Sequence, residues 1–507
     1  MSDVDSNSEA LARDVDLDAI TSSEYNAFIL ETLRDGSCTG MGIMADDEGW
    51  ADENDFVVRE GDDLFWLGHY ISESQALEYL WLSHLPSDDS FRQGLAQNKS
   101  IQKISIWSDL GEAGFQSLAH FFRHTTTLKE LVFNADIHIN SEAARTIASL
   151  LRQCQIKSLN EFILEGIGLP DGGFADIARA LSAQPQLEVL GLWELNVGNA
   201  CPGLSALGST MKNWKSSCLK KLTIEDFDEL DDGGLLRLVE GMTNCPNLEC
   251  LSLKGNESIT LVGFNALSTW LRSKNIFLET IDFSSMNIDD DAMTALASGL
   301  ASLQSLKWLD LSRNVIGAVG LQALAAGMKD PCALEELDLS GNSISCEGWR
   351  SLTAAKMNSL RRLSLDAINN EALKTIVDGM ENLCNLETLC LDRWLTLNKQ
   401  KHDNVNVPIC KILMSHSDFD MTPFFQWKLK LLPSAVMWFE RARPTGVYLK
   451  ESTTAFEKRK LSAVYQFISG FSHMVADAFY SQKSSVATDR SVTITKKRKF
   501  ESDPRVK

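Results

Sequence analysis

The chain has 507 residues, 44% hydrophobic and 23% charged, a balance that excludes wholesale disorder and collagen-like composition. A single core rarely grows past roughly 250–300 residues, so the chain holds several domains or one elongated repeat. Acids outnumber bases 69 to 48, for a formal charge of −21, which argues against broad phosphate-backbone binding and favours a basic or neutral partner.

Residues 1–63 hold 18 acids against three bases, and residues 1–20 read as an acidic disordered tail. The opening MSDVDSNSEALARDVDLD has no basic region and no apolar run, so no secretory leader is expected. No stretch of about 18 apolar residues occurs, so no membrane span is expected either. The eleven cysteines are odd in number and never spaced C-x-x-C, which suits thiols in a reducing, cytoplasmic or nuclear setting. Asp14, Asp16 and Asp18 outline a calcium loop, but Ala19 and Tyr25 stand where Gly and Glu are needed, so they read as solvated tail.

Residues 21–76 mix acids with apolar pieces such as Tyr25, Phe28, Ile29 and Leu30, and read as an N-terminal cap. Within it, Gly36-Ser37-Cys38-Thr39-Gly40 has the outline of a nucleophile elbow. An elbow needs a strand before it, a helix after it and a basic partner, so the stretch reads as a loop.

From residue 77 the chain repeats itself. LETIDFSSMNI opens at Leu278, LKWLDLSRNVI at Leu306 and LEELDLSGNSI at Leu334, each 28 residues from the last. The template L-x-x-L-x-L recurs twelve times, opening at Leu77, Ile101, Leu128, Leu159, Leu187, Leu219, Leu248, Leu278, Leu306, Leu334, Leu360 and Leu386. Its alternating part puts Leu309 and Leu311 on one strand face, and Trp308 and Asp310 on the other. GLQALAAGM, from Gly320, then shows apolar residues three and four apart, the mark of a helix with one buried stripe. No unit can hide its apolar face alone, but stacked neighbours can.

This pattern resembles the leucine-rich repeat family, and the ~28-residue period with helices is similar to its ribonuclease-inhibitor subtype. The resemblance covers roughly residues 77–395 and implies an α/β horseshoe solenoid over residues 77–399, with a parallel sheet on the concave face and helices on the convex face. In that family an Asn bonds the turn after each strand. Here it stands only as Asn256, Asn314 and Asn342; elsewhere the position holds residues such as Leu85, Ile167, Leu195, Phe227 and Met286. The turns of the first half therefore follow the family pattern less closely than those of the second.

Residues 400–480 break the repeat and read as a helical C-terminal cap or docking module. Thr422-Pro423 suits a helix start, and Leu461, Val464, Ile468, Phe471 and Val475 keep helical spacing. WKLKLLPSAVMWF, from Trp427, is similar to C-terminal segments of microalgal leucine-rich repeat proteins, a likeness that implies no activity. Residues 481–507 hold eight bases and three acids and read as a basic disordered tail. Lys496, Lys497, Arg498 and Lys499 have the make-up of a nuclear-import signal, or of a weak contact with nucleic acid.

P-loop, H-E-x-x-H and G-x-S-x-G motifs are missing, so a non-enzymatic role is expected, without cofactor or metal. His120 and His124, four apart, lack further ligands and read as a structural or surface pair. The residues on the open face of the strands are more informative. Tyr79, Trp81, Trp107, Trp193 and Trp308 are candidate anchors for a protein partner, or are covered by flanking loops. Asp282, Asp310 and Asp338 fall at one repeat position, where like charges on adjacent strands repel and a cationic partner would relieve them. An interaction scaffold gripping a protein on the concave face is the leading reading, and the acidic row suits a basic one. A regulator of a small GTPase, weakly resembling the Ran GTPase-activating group, is the alternative; that group carries its acidic tract after the repeats, whereas here it precedes them.

Overall fold

Each copy of the template becomes a short strand, and the strands line up side by side. The computed structural model describes residues 15–391, 396–402, 405–413 and 438–439, less short stretches inside the first range, of which 47–53, 154–158 and 366–371 are the longest. They fall in one unit, Met1–Leu413 with Asp420–Glu440; the second unit lies outside the described residues.

In chain order the first strands are β1 (Gly40–Ala45), β2 (Asp55–Val58), β3 (Tyr79–Leu82), β4 (Lys103–Ile106) and β5 (Glu130–Phe133). Then come β6 (Ile137–His138), β7 (Glu161–Glu165), β8 (Ile167–Leu169), β9 (Val189–Trp193) and β10 (Asn196–Val197). The second half adds β11 (Lys221–Glu225), β12 (Cys250–Ser252), β13 (Thr280–Asp282), β14 (Trp308–Asp310), β15 (Glu336–Asp338), β16 (Arg362–Leu365) and β17 (Thr388–Leu391). The described chain ends with β18 (Thr396–His402), β19 (Val405–Leu413) and β20 (Trp438–Phe439). Strands β3 to β5, β7, β9 and β11 to β17 pair in parallel with each neighbour in turn. The register matches repeat position to repeat position, so Ile281 faces Leu309, and Leu309 faces Leu337.

Alternation explains the layering. Leu309 and Leu311 are fully buried between the sheet and the helices, while Trp308 and Asp310 on the other face stay partly exposed. The opening leucines Leu77, Leu219, Leu278, Leu334 and Leu360 are buried as well. Each leucine taken out of water contributes about 1.5–3 kcal/mol. The helical spelling of the repeats forms helices at Gly173–Ala180, Leu261–Leu271, Asp290–Leu300 and Ala318–Gly327, stacked in a layer behind the sheet.

Helix starts are held across repeats. Asp289 caps its own helix at the Ala292 N–H, whereas its neighbour Asp290 reaches the next repeat and accepts from the Gly317 and Gly320 N–H groups, both at 2.7 Å. Asp232 does the same for Thr260 and Gly263, at 2.8 and 2.9 Å. A carboxylate is well placed there, because helix N-termini carry unpaired donors and a partial positive charge.

The N-terminal segment continues the same sheet. β1 lies parallel to β3, and β2 lies parallel to β1 at the edge. The helix Glu24–Asp35 closes that edge: the buried Asn26 amide donates to Val57 O at 2.8 Å and accepts from Val57 N at 3.0 Å, as a further strand would. Order also begins earlier than the acidic composition of 1–20 suggests. Ile20 is buried, and Val15 O accepts from Arg34.

Ahead of the segments expected to be helical, the described chain is extended. Residues 396–402 and 405–413 form strands, with β18 antiparallel to both β17 and β19, and β20 parallel to β19. The physical reason is the sequence VNVPICKIL, whose period of two and β-branched residues favour a strand. The helices expected within 422–432 and 461–479, the acidic residues 1–14, and the basic tail with Lys496, Lys497, Arg498 and Lys499 lie outside the described residues.

Candidate functional site

Three rows of side chains cross the open face of the sheet, one for each free position of the template. The residue after the first leucine forms a row of matched charges. Lys220 pairs with Glu188 at 2.7 Å, Lys307 with Glu279 at 2.8 Å and Arg361 with Glu335 at 3.6 Å. The residue between the second and third leucines forms an unmatched row. Asp282, Asp310 and Asp338 sit in direct register on β13, β14 and β15, and among the described residues none of them joins an ion pair.

Each of these aspartates has one oxygen engaged. Asp282 Oδ1 accepts from the Ser284 N–H at 2.9 Å and its hydroxyl at 2.6 Å; Asp310 Oδ1 accepts from the Ser312 N–H at 2.7 Å. Asp338 Oδ1 accepts from both the N–H and the hydroxyl of Ser340. The L-D-L-S spelling is thus partly structural, fixing the bend after the strand. The second oxygen of each is not used in these bonds. Burial pushes the central carboxyl, Asp310, up to about 6; the hydrogen bonds from Ser312 oppose this, and the charges of Asp282 and Asp338 add to it.

The same row continues towards the N-terminus as Ser252 and Thr223, both buried, in register with Asp282 and with each other. Thr223 Oγ1 donates to Leu190 O, whereas Ser252 Oγ has no hydrogen-bond partner among the described residues. Further along the row come Gly191, Ile163 and Val132, and the face turns apolar.

The candidate aromatics have different surroundings. Trp107 is exposed at 41%. Tyr79 is half-buried, donates to Ser105 Oγ at 3.3 Å and carries the Lys103 ammonium 5.3 Å over its ring. Trp81 is engaged within the fold: it crosses β1 and its indole N–H donates to the buried Asp55 on β2 at 2.5 Å. Gly42 makes this crossing possible, since a Cβ there would stand 2.2 Å from Trp81 Nε1 and 1.9 Å from Asp55 Oδ1. Trp193 folds over Gly191 and stands in register between Glu165 and Glu225, its buried Nε1 without a partner among the described residues. Burial, then the charges of Glu194 and Glu225, raises the Glu165 carboxyl. Trp308 is partly exposed on β14, two residues before Asp310.

The other candidates lie elsewhere in the fold. Gly36 to Gly40 runs from a helix end into β1, the reverse of an elbow, and burial pushes the Cys38 thiol up. The His120 and His124 rings lie with centroids 4.8 Å apart and planes tilted by 47°. Among the described residues, no group of three His, Cys, Asp or Glu is placed to hold a metal ion, and no helix is long and apolar enough to cross a membrane.

Residues 302–325 and 333–354 each match a family model described as a leucine-rich repeat. The fold is a leucine-rich repeat solenoid. No curated protein matches the chain. Among solved structures, a chain of the yeast Rad7 and Elc1 complex is 15% identical, with 76% of this chain and 87% of that one covered and a TM-score of 0.41. A chain of the TLR13–ssRNA13 complex is 17% identical, with 67% of this chain and 42% of that one covered and a TM-score of 0.36. Neither likeness bears on what this chain binds.

Sequence reasoning found the acidic row, because its spacing equals the repeat. It missed Ser252 as a member whose hydroxyl is left over. The signal was present, since Ser252 occupies the same template position as Asp282.

Proposed function

We propose that the open face of the sheet is a protein-binding surface, and that the carboxylates of β13 to β15 select a basic partner. The observation that carries this reading is the contrast between neighbouring rows. One has its charges paired along the solenoid, while Asp282, Asp310 and Asp338 are stacked with no cation paired to them among the described residues. Stacked like charges cost free energy, and a partner's cations would relieve it. Twelve strands about 4.8 Å apart span about 50 Å, which suits a protein better than a small molecule. Exposed Trp107 and partly exposed Trp308 supply apolar anchors on the same face. We read the helix-bearing, ~28-residue unit as ribonuclease-inhibitor-like. Lys496 to Lys499 fit a nuclear-import role beside it.

The test is affinity capture with the full chain and with the Asp282→Asn/Asp310→Asn/Asp338→Asn variant. Basic proteins retained by the parent at low salt should elute as ionic strength rises and be missing from the variant. Equal capture by the two, with no salt dependence, would overturn the electrostatic selection.

A further inference from the structure

Resting on that reading of the face, we propose that the start of the acidic row is an arginine subsite. A partner's guanidinium lies against Ser252 on β12 and Asp282 and Asp310 on β13 and β14. Ser252 is 3% exposed, yet its hydroxyl has no partner among the described residues. Leu251 and Leu253 on either side of it fill the core, so alternation sets Ser252 on the face that carries the aspartates. It stands in register with Asp282, and Asp282 with Asp310.

The chemistry on offer is therefore a buried hydroxyl followed by two carboxylates, each with Oδ1 held by the serine two residues on and Oδ2 outside those bonds. The groups succeed one another at strand spacing, about 4.8 Å. A guanidinium matches this line. It is planar, has five donors in a fixed fork and meets carboxylates in pairs, so one edge can serve Asp282 while another N–H reaches Ser252 Oγ. A lysine ammonium is a compact, strongly hydrated point charge without that planar fork, so it meets the same line with poorer geometry and a larger loss of hydration. The metal alternative is disfavoured, since no three ligating groups converge among the described residues. Trp308, beside Asp310, offers a ring against which a guanidinium plane can stack. The lysine that follows β12, Lys254, is turned to Glu225 at 4.0 Å.

The experiment measures fluorescence anisotropy of labelled tetra-arginine and tetra-lysine peptides with the full chain at low salt. The parent should prefer tetra-arginine by about fivefold or more. Ser252→Ala should bring that preference close to unity while the thermal midpoint holds or rises, because the unpartnered hydroxyl is gone. Equal binding of the two peptides by the parent, or an unchanged preference in Ser252→Ala, overturns the subsite. The triple Asp→Asn variant separates this failure from the broader one. If it binds both peptides as the parent does, or if the parent binds neither, the acidic-row reading falls with the subsite. If only the arginine preference is missing, the subsite alone falls.

Discussion

In the second half of the solenoid the turn after the strand is built on Asn256, Asn314 and Asn342; in the first half the same position holds buried Leu85, Ile167 and Leu195. Both halves must satisfy turn backbone that is hidden from water. The second half uses a side chain. Asn314 Oδ1 accepts from Met286 N and Ile288 N at 3.0 Å, and its Nδ2 donates to Phe283 O and Leu311 O at 2.9 and 3.0 Å. Around Ile167 and Leu195 the first half uses more strand: β6, β8 and β10 pair in parallel as a separate small sheet at and just past this position. Each asparagine also reaches back one repeat, as Asn256 does to Phe227 N and Asn342 to Ile316 N. That is why Phe227 and Met286 are tolerated as apolar residues at positions followed, one repeat on, by an asparagine. The lesson is that repeats share a hydrogen-bonding duty at this position, not a residue.

The largest effect that can break this comparison comes from Asn314→Leu, which writes the first-half residue into the second half. Among the described residues no extra strand stands ready there to take up the four backbone groups, so the loss should reach about 3 kcal/mol or more in urea unfolding. A loss below about 1 kcal/mol would show that the turn satisfies itself without the amide.

The comparison also shows what a sequence can carry. The strand register of the twelve copies was legible from Leu77 to Leu386, because a leucine out of phase would leave the core. Asp282, Asp310 and Asp338 followed from the same period. β1 and β2 were not legible, since GMGIMA and DFVV lack the leucine template and are recruited by pairing with β3 and by Asn26. The cross-repeat reach of Asp232 and Asp290 was hidden too. Two adjacent aspartates read as one cap and one spare until the next helix is placed beside them. The state of Trp81 depended on Gly42 and Asp55, which only the fold brings to it.

The halves differ on the open face as well, with Val132 and Ile163 where the second half has aspartates. A second, smaller effect sharpens that difference. The Asp310 carboxyl is raised from 3.8 to about 6 in the folded protein, so the folded state holds its proton more tightly than the unfolded chain. Its contribution to stability is present below about pH 4 and is lost as pH rises through about 6. Asp310→Asn keeps an acceptor oxygen for the Ser312 N–H and removes this loss. The variant should match the parent near pH 4 and melt at a higher temperature at pH 7. Melting curves that stay parallel across that range would mean that the carboxyl is not destabilised by its place in the row.

The smallest effect concerns something the two halves share. Two residues past the third leucine the backbone turns left-handed, at Gly166, Gly255 and Gly341 but equally at Glu194, Asp226, Ser285 and Arg313, with φ between 50 and 76°. The reason is a ladder that continues beyond the strands: Gly166 N donates to Trp193 O, Asp226 N to Lys254 O and Arg313 N to Ser340 O. The ladder imposes the conformation, and a side chain there carries the strain that glycine avoids. Arg313→Gly should therefore stabilise the solenoid, by about 0.5–1 kcal/mol once the greater freedom of glycine in the unfolded chain is subtracted. The urea midpoint should rise with an unchanged slope. A fall instead would mean that the arginine side chain, whose Cγ lies 3.1 Å from where a Cβ on Gly341 would stand, contributes more by packing than its backbone loses by strain.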